Sequence, residues 1–139
     1  MIEFIYETLA RLGFEHPLHP ALTHLPMGMI MGGFLFSLAA FKKTELVKTA
    51  HHCFILALIF VVPTMITGIL DWQHRFLGKG SDLITAKIVL AITLTVLLAV
   101  AVSLGSRKTL SPKMMPIIYG LCLVNAVGLG YIGGELTFG

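Results

Sequence analysis

Four long apolar runs constrain this chain more than anything else in it: about Ala21 to Phe41, Thr49 to Trp72, Ser81 to Leu104 and Met114 to Gly133. A helix rising about 1.5 Å per residue needs about twenty residues to cross a hydrocarbon core of roughly 30 Å, and each run is that long. In lipid every backbone N–H and C=O must find its partner within the protein, and a continuous apolar run satisfies that demand as a helix. Charged residues make up only 12% of the chain, against about 25% in a soluble domain, too few to coat a water-facing surface. The mean hydropathy of +0.89 points the same way. Short connections make neighbouring spans antiparallel. The expected fold is therefore all-α: a polytopic membrane protein whose residues 1–139 form one four-helix up-down bundle in contact with the lipid bilayer.

The segment before the first run has another character. Ile2, Ile5, Leu9 and Leu12 recur at helical spacing, with Glu3, Glu7 and Arg11 elsewhere on the wheel. This predicts a short amphipathic helix over residues 1–13, lying in the membrane interface and ended by Gly13. It lacks the basic start and small-residue cleavage site of a signal peptide.

Several function classes drop out. The net charge of +3 comes without a basic block, so nucleic acid is not an expected partner. Cys53 and Cys122 belong to no CxxC, CxxCH or His-spaced pattern, which excludes covalent c-type haem and a cysteine-based zinc site on this chain. No Ser–His–Asp, P-loop or HExxH pattern supports hydrolytic chemistry, so an electron-transfer or structural subunit fits better than an enzyme.

Basic residues set the orientation. Lys42, Lys43, Lys48, Arg107, Lys108 and Lys113 flank the first-to-second and third-to-fourth connections, against Arg11, Arg75, Lys79 and Lys87 on the other side. Six against four places both termini outside, on the periplasmic face of a bacterial inner membrane.

At the lip of the first span stands HPLHPALTHLP, residues 16–26, with three of the six histidines and three of the six prolines. Pro20 suits a first helical turn. Pro26 lies deeper and frees the carbonyl of Leu22, as Pro63 frees that of Ile59, and such carbonyls need another donor. Gly28 and Gly32 form a GxxxG, and Ala126, Gly130 and Gly134 repeat that spacing. These faces suit close helix contact, or a flat cofactor between helices.

Depth decides which polar groups can meet. His16, His19 and His24 share the outer level with Thr67, Asp71, Trp72 and His74, with Ser81, Asp82, Thr85 and Lys87, and with Tyr131 and Glu135. Thr64, Thr67 and Asp71 share a helix face. A charge within the membrane demands a partner, so Asp71–Lys87 or Glu135–Lys87 is an expected ion pair or proton path. His52 precedes Asp71 by 19 residues, a rise of about 28 Å. It therefore lies with His51 at the inner face, where their role stays open. Asn125 is expected to hydrogen-bond between helices.

HPLHPALTHLPMG at 16–28, TGILDW at 67–72 and GGEL at 133–136, in this order, resemble a bacterial membrane family, domain of unknown function 2231 (DUF2231). The resemblance covers nearly the whole chain. It implies a four-helix layout, and a respiratory setting, because relatives resemble fusions to Rieske or c-type cytochrome domains. It singles out His16, His19, His24, Asp71 and the Gly133–Gly134–Glu135 turn. The chain departs from the family's pattern at Ser37, where relatives carry an acidic residue, and at Lys87, where they carry a histidine.

Three functions are compatible with these residues. The first is electron transfer through b-type haem. His24 with His74, or His19 with His24, would be its axial ligands, Gly28 and Gly32 would line its plane, and a quinol would deliver protons near Asp71, Lys87 and Glu135. The second is a non-catalytic anchor or assembly subunit docking a periplasmic redox partner or other membrane subunits, with homo-oligomerisation open. The third is a transition-metal site or transporter using the outer histidines His16, His19, His24 and His74.

Overall fold

The computed structural model contains five helices: α1 Ile2–Arg11, α2 Leu18–Ala39, α3 Leu46–Phe76, α4 Asp82–Ser106 and α5 Met115–Phe138. It describes residues 2–11, 13, 18–76, 80–107, 111 and 113–138, with backbone only at 2, 3, 5, 9, 18, 75, 76, 137 and 138. No strand occurs among the described residues. His16 lies outside them.

Helices α2 to α5 are each long and apolar enough to cross a membrane. Between 17% and 28% of each one's most apolar stretch is buried within the protein, so most of that surface is left for lipid. Exposed residues such as Ile59, Val89, Val96 and Val124 are its consequence. The chain is an all-α polytopic membrane protein in contact with the bilayer.

Local sequence sets the helix ends. Ser81 caps α4, its hydroxyl accepting from the Ile84 N–H at 3.3 Å, and Asp82 follows in the first turn. Ser111 does the same before α5, accepting from the Met114 N–H at 3.3 Å. Pro116 then occupies the second position of α5, where no backbone donor is missed.

The four spans pack in a ring, α2 on α3, α3 on α4, α4 on α5 and α5 back on α2, with the α2–α3 seam the most extensive. Among the described residues α1 touches α3 alone. Two ends of the ring can be told apart. The starts of α2 and α4 and the finishes of α3 and α5 form the His19 end, and the opposite finishes and starts form the His51 end.

The apolar core lies toward the His51 end. Phe54 and Tyr119 stack there with ring centroids 3.6 Å apart, among Ile30, Ala57, Leu98 and Cys122. Gly33 makes the stack possible, since a Cβ there would lie 2.7 Å from the Phe54 ring. The GxxxG pair named from spacing is not the contact: a Cβ on Gly28 or Gly32 would meet nothing within 4 Å. Small residues do let α2 approach its neighbours, but through Gly33, rotated by about 100° from Gly32 on the helical wheel.

Pro26 and Pro63 both sit inside their helices. The carbonyl of Leu22, freed by Pro26, receives the Thr64 hydroxyl across the α2–α3 seam at 3.3 Å. That hydroxyl also reaches Phe60 O, 2.8 Å away on its own helix, so its one proton is shared between two acceptors.

Candidate functional site at the His19 end

Among the described residues, Asp71 is the buried charged side chain of the His19 end, with 7% of its surface exposed. One carboxylate oxygen accepts the backbone N–H of His19 at 2.9 Å. His19 is the second residue of α2, whose first N–H groups have no partner within the helix. Asp71 thus caps α2 from the neighbouring helix, negative charge against the positive end of the helix dipole. The other oxygen accepts the hydroxyl of Tyr6 from α1. Tyr6 also stacks on His74, with ring centroids 4.0 Å apart and planes 1° from parallel.

The His19 imidazole is held as firmly as its backbone. Nδ1 lies 2.8 Å from the carbonyl of Thr64. A carbonyl only accepts, so Nδ1 carries the proton, and in the neutral ring Nε2 keeps its lone pair. The ring lies against the bare backbone of Gly68, where a Cβ would come within 3.1 Å of Nδ1 and Cε1. Among the described residues, Nε2 has no hydrogen-bond partner. The Thr67 hydroxyl bonds Pro63 O at 3.1 Å and Thr64 O at 3.0 Å, completing the polar face of α3.

Lys87 supplies the opposite charge. Its ammonium lies 3.8 Å from where a Cβ on Gly133 would stand. Its charge acts on both Asp71 and His19. His19 of the first motif, Gly68 and Asp71 of the second and Gly133 of the third therefore converge, with Lys87 between them. Gly68 accommodates a ring, Asp71 caps a helix, and Gly133 leaves room for an ammonium.

Other residues singled out from the sequence lie apart. His24 is exposed, and its five-residue offset from His19 places it about 140° round α2. His74 is exposed on its outer side and engaged by Tyr6 on the other. Glu135 and Tyr131 are exposed at the finish of α5. Asp71, rather than Glu135, is the carboxylate whose charge acts on Lys87. Asn125 does not bridge helices among the described residues: its Oδ1 is buried without a partner, as is the Tyr119 hydroxyl.

Two parts of the site escaped sequence reasoning. Tyr6 falls within the amphipathic segment 1–13 with no signal of its own, and Gly68 is one letter of TGILDW. A glycine on the Thr64–Thr67–Asp71 face of an apolar helix was the available signal for Gly68. Nothing in the sequence pointed to Tyr6.

At the His51 end, the His51 ring packs over Gly105, and its Nε2 lies 3.2 Å from the Ser106 hydroxyl. Its Nδ1 is buried without a partner among the described residues. His52 beside it is exposed.

A family described as predicted membrane protein (DUF2231) matches residues 15–139, all but the first fourteen. No curated protein and no solved structure matches the chain. This protein belongs to the DUF2231 family.

Proposed function

We propose that this protein is a subunit of a respiratory redox system in the bacterial inner membrane, with its His19 end at the periplasmic face binding a quinol. The orientation rests on the basic residues at the other end, Lys42, Lys43, Lys48, Arg107 and Lys113. One observation carries the rest. An imidazole pinned by Thr64 O and Gly68, with Nε2 unpartnered and Lys87 close by, sits where a lipid-soluble headgroup meets water.

The chemistry follows from those atoms. A quinol hydroxyl donates to Nε2, and the imidazole accepts that proton as the ring is oxidised. The Lys87 ammonium offsets negative charge developing on the quinol oxygen. Asp71 balances the imidazolium that forms. The two electrons leave one at a time to a one-electron carrier in a partner subunit, which passes on the first before it takes the second, and the second proton leaves to the aqueous side.

The b-type haem fares less well. His19, with Nδ1–H on a carbonyl and Nε2 open, has the arrangement of a metal ligand. The described residues bring no second imidazole to the same point, because His24 and His74 lie elsewhere. A haem here would take its other axial ligand from a partner. No three His, Cys, Asp or Glu side chains converge among the described residues, and His16, one of the outer histidines of the metal reading, lies outside them. The anchor reading keeps one observation of its own: His24, His74, Tyr131 and Glu135 are all exposed at one end, a surface a periplasmic partner could read.

The test uses the single tryptophan, Trp72, next to Asp71 in the chain. Titration of the detergent-purified protein with a short-chain quinol, kept reduced under anaerobic conditions, should quench its fluorescence saturably. His19→Leu should weaken the apparent affinity up to about tenfold, the worth of one neutral hydrogen bond, while His24→Leu leaves it unchanged. Non-saturable quenching, identical in all three proteins, would refute quinol binding. An oxidised and dithionite-reduced visible spectrum of the same sample decides the haem by its Soret and alpha bands.

A further inference from the structure

Arg107 entered the sequence argument only as a topology marker, yet the structure places it at the end of a groove. A shallow, open groove of about 410 Å³ lies along the last three turns of α4, lined among the described residues by that helix and its cap alone, Val96, Ala99, Val100, Ser103, Leu104 and Arg107. Ala99 and Ser103 are its small residues, and Val96, Val100 and Leu104 are aliphatic. Val96 and Val100, 56% and 44% exposed, open it to the surrounding lipid.

The charge is all at one end. Arg107 is exposed and is the first residue past the α4 helix, whose C-terminus it caps. It uses its backbone N–H for that cap, to Ser103 O at 3.1 Å, so the cap does not occupy the guanidinium. Lys42, Lys43, Lys48 and Lys113 stand exposed at the same end of the bundle. A guanidinium presents a planar fork of donors that fits a phosphate better than an ammonium does.

We infer that this groove seats one anionic phospholipid, an acyl chain lying along Val96 to Leu104 and the phosphate on Arg107. An apolar groove leading to a single forked cation complements a molecule with a long apolar tail and one anionic head. The exposed Ser103 hydroxyl, at the level where chain meets head, adds a donor for the ester region. The inference does not depend on quinol binding at the other end.

Native mass spectrometry of the full chain, delipidated and offered phosphatidylglycerol or phosphatidylcholine, tests it. The wild type should retain phosphatidylglycerol about fivefold better, the worth of one basic residue beside an anionic headgroup. Arg107→Gln should bring that ratio near one, Arg107→Lys should keep part of it, and Lys43→Gln, on the same end, should leave it intact. Ala99→Phe, which fills the groove from a lipid-facing position, should lower retention of both lipids. Equal retention of the two lipids by the wild type would overturn the inference. So would a preference that survives Arg107→Gln, an equal loss in Lys43→Gln, or a dimer whose α4 helices cross-link through Val100→Cys.

Discussion

His19 and His51 are seated by the same device at opposite ends of the bundle, an imidazole laid against a glycine of a packed helix, and they end in different states. His19 lies over Gly68 with Nδ1 on the Thr64 carbonyl and its own backbone N–H on Asp71. His51 lies over Gly105, its Nδ1 buried without a partner among the described residues and its Nε2 on an exposed serine. The glycine supplies room in both cases. What separates them is a main-chain acceptor within reach, which turns a stored ring into one with a fixed tautomer and a defined free nitrogen. A group meant to exchange protons gains from being held this way, because its open atom is always presented in one direction.

The comparison can be broken at several points. The largest effect is expected at Asp71. Asp71→Ala removes the cap on α2 and leaves Lys87 without its counter-charge, and should cost about 3–5 kcal/mol in a denaturing-detergent titration of the micellar protein. Any substitution of His51 should stay well below that. If Asp71→Ala unfolds at the wild-type midpoint, the buried carboxylate is not what ties α2 to α3.

Next come the two glycines, where the order should run against simple crowding. A Cβ on Gly105 would meet the His51 ring more closely than one on Gly68 meets His19. The His51 ring is bonded only to the Ser106 side chain and can swing aside, whereas His19 is pinned to main chain. Gly68→Ala should therefore cost about 1–3 kcal/mol in the same titration, and Gly105→Ala less than half as much. The reverse order would dissolve the distinction between the two ends.

The imidazoles themselves should differ in sign. His19→Leu forfeits the Thr64 bond and should destabilise by about 1–1.5 kcal/mol, while His51→Leu removes a buried orphan and should be neutral or stabilising. Thr64→Val, the smallest change, should cost about 1 kcal/mol for a hydroxyl shared between Leu22 O and Phe60 O. In a double-mutant cycle with Pro26→Ala it should show a coupling of at least about 0.5 kcal/mol, because restoring the N–H at position 26 gives Leu22 O its helical partner back. Additivity would mean that Thr64 is not answering the proline.

Much of this was legible in the chain. The spans near 21–41, 49–72, 81–104 and 114–133 lie within a few residues of α2 to α5, because uninterrupted apolar runs of bilayer length leave one secondary structure available. The need of Leu22 O for a donor followed from Pro26, and the shared depth of His19, Asp71, Lys87 and Gly133 followed from helix polarity and rise. Rotation about each helix axis was not legible. His24 stands in both candidate ligand pairs, and the spacing of Gly28 and Gly32 suits a contact, since depth and spacing carry no information about which side of a uniformly apolar helix faces its neighbours. In a soluble helix the polar face settles that question. In lipid both faces are apolar, and the signal vanishes.

By itself, then, the sequence determined that four helices cross a membrane, how long they are, and which residues share a level. Those are properties of single helices in a low-dielectric slab, governed by backbone hydrogen bonding and apolar length. Only the tertiary structure decided that His19 rather than His24 turns toward Asp71, that rings pack on Gly33, Gly68 and Gly105 rather than on Gly28 or Gly32, and that Tyr6 reaches the site from α1. Those depend on helix rotation and close packing, which dispersion contacts and a few buried hydrogen bonds select once all four helices are together.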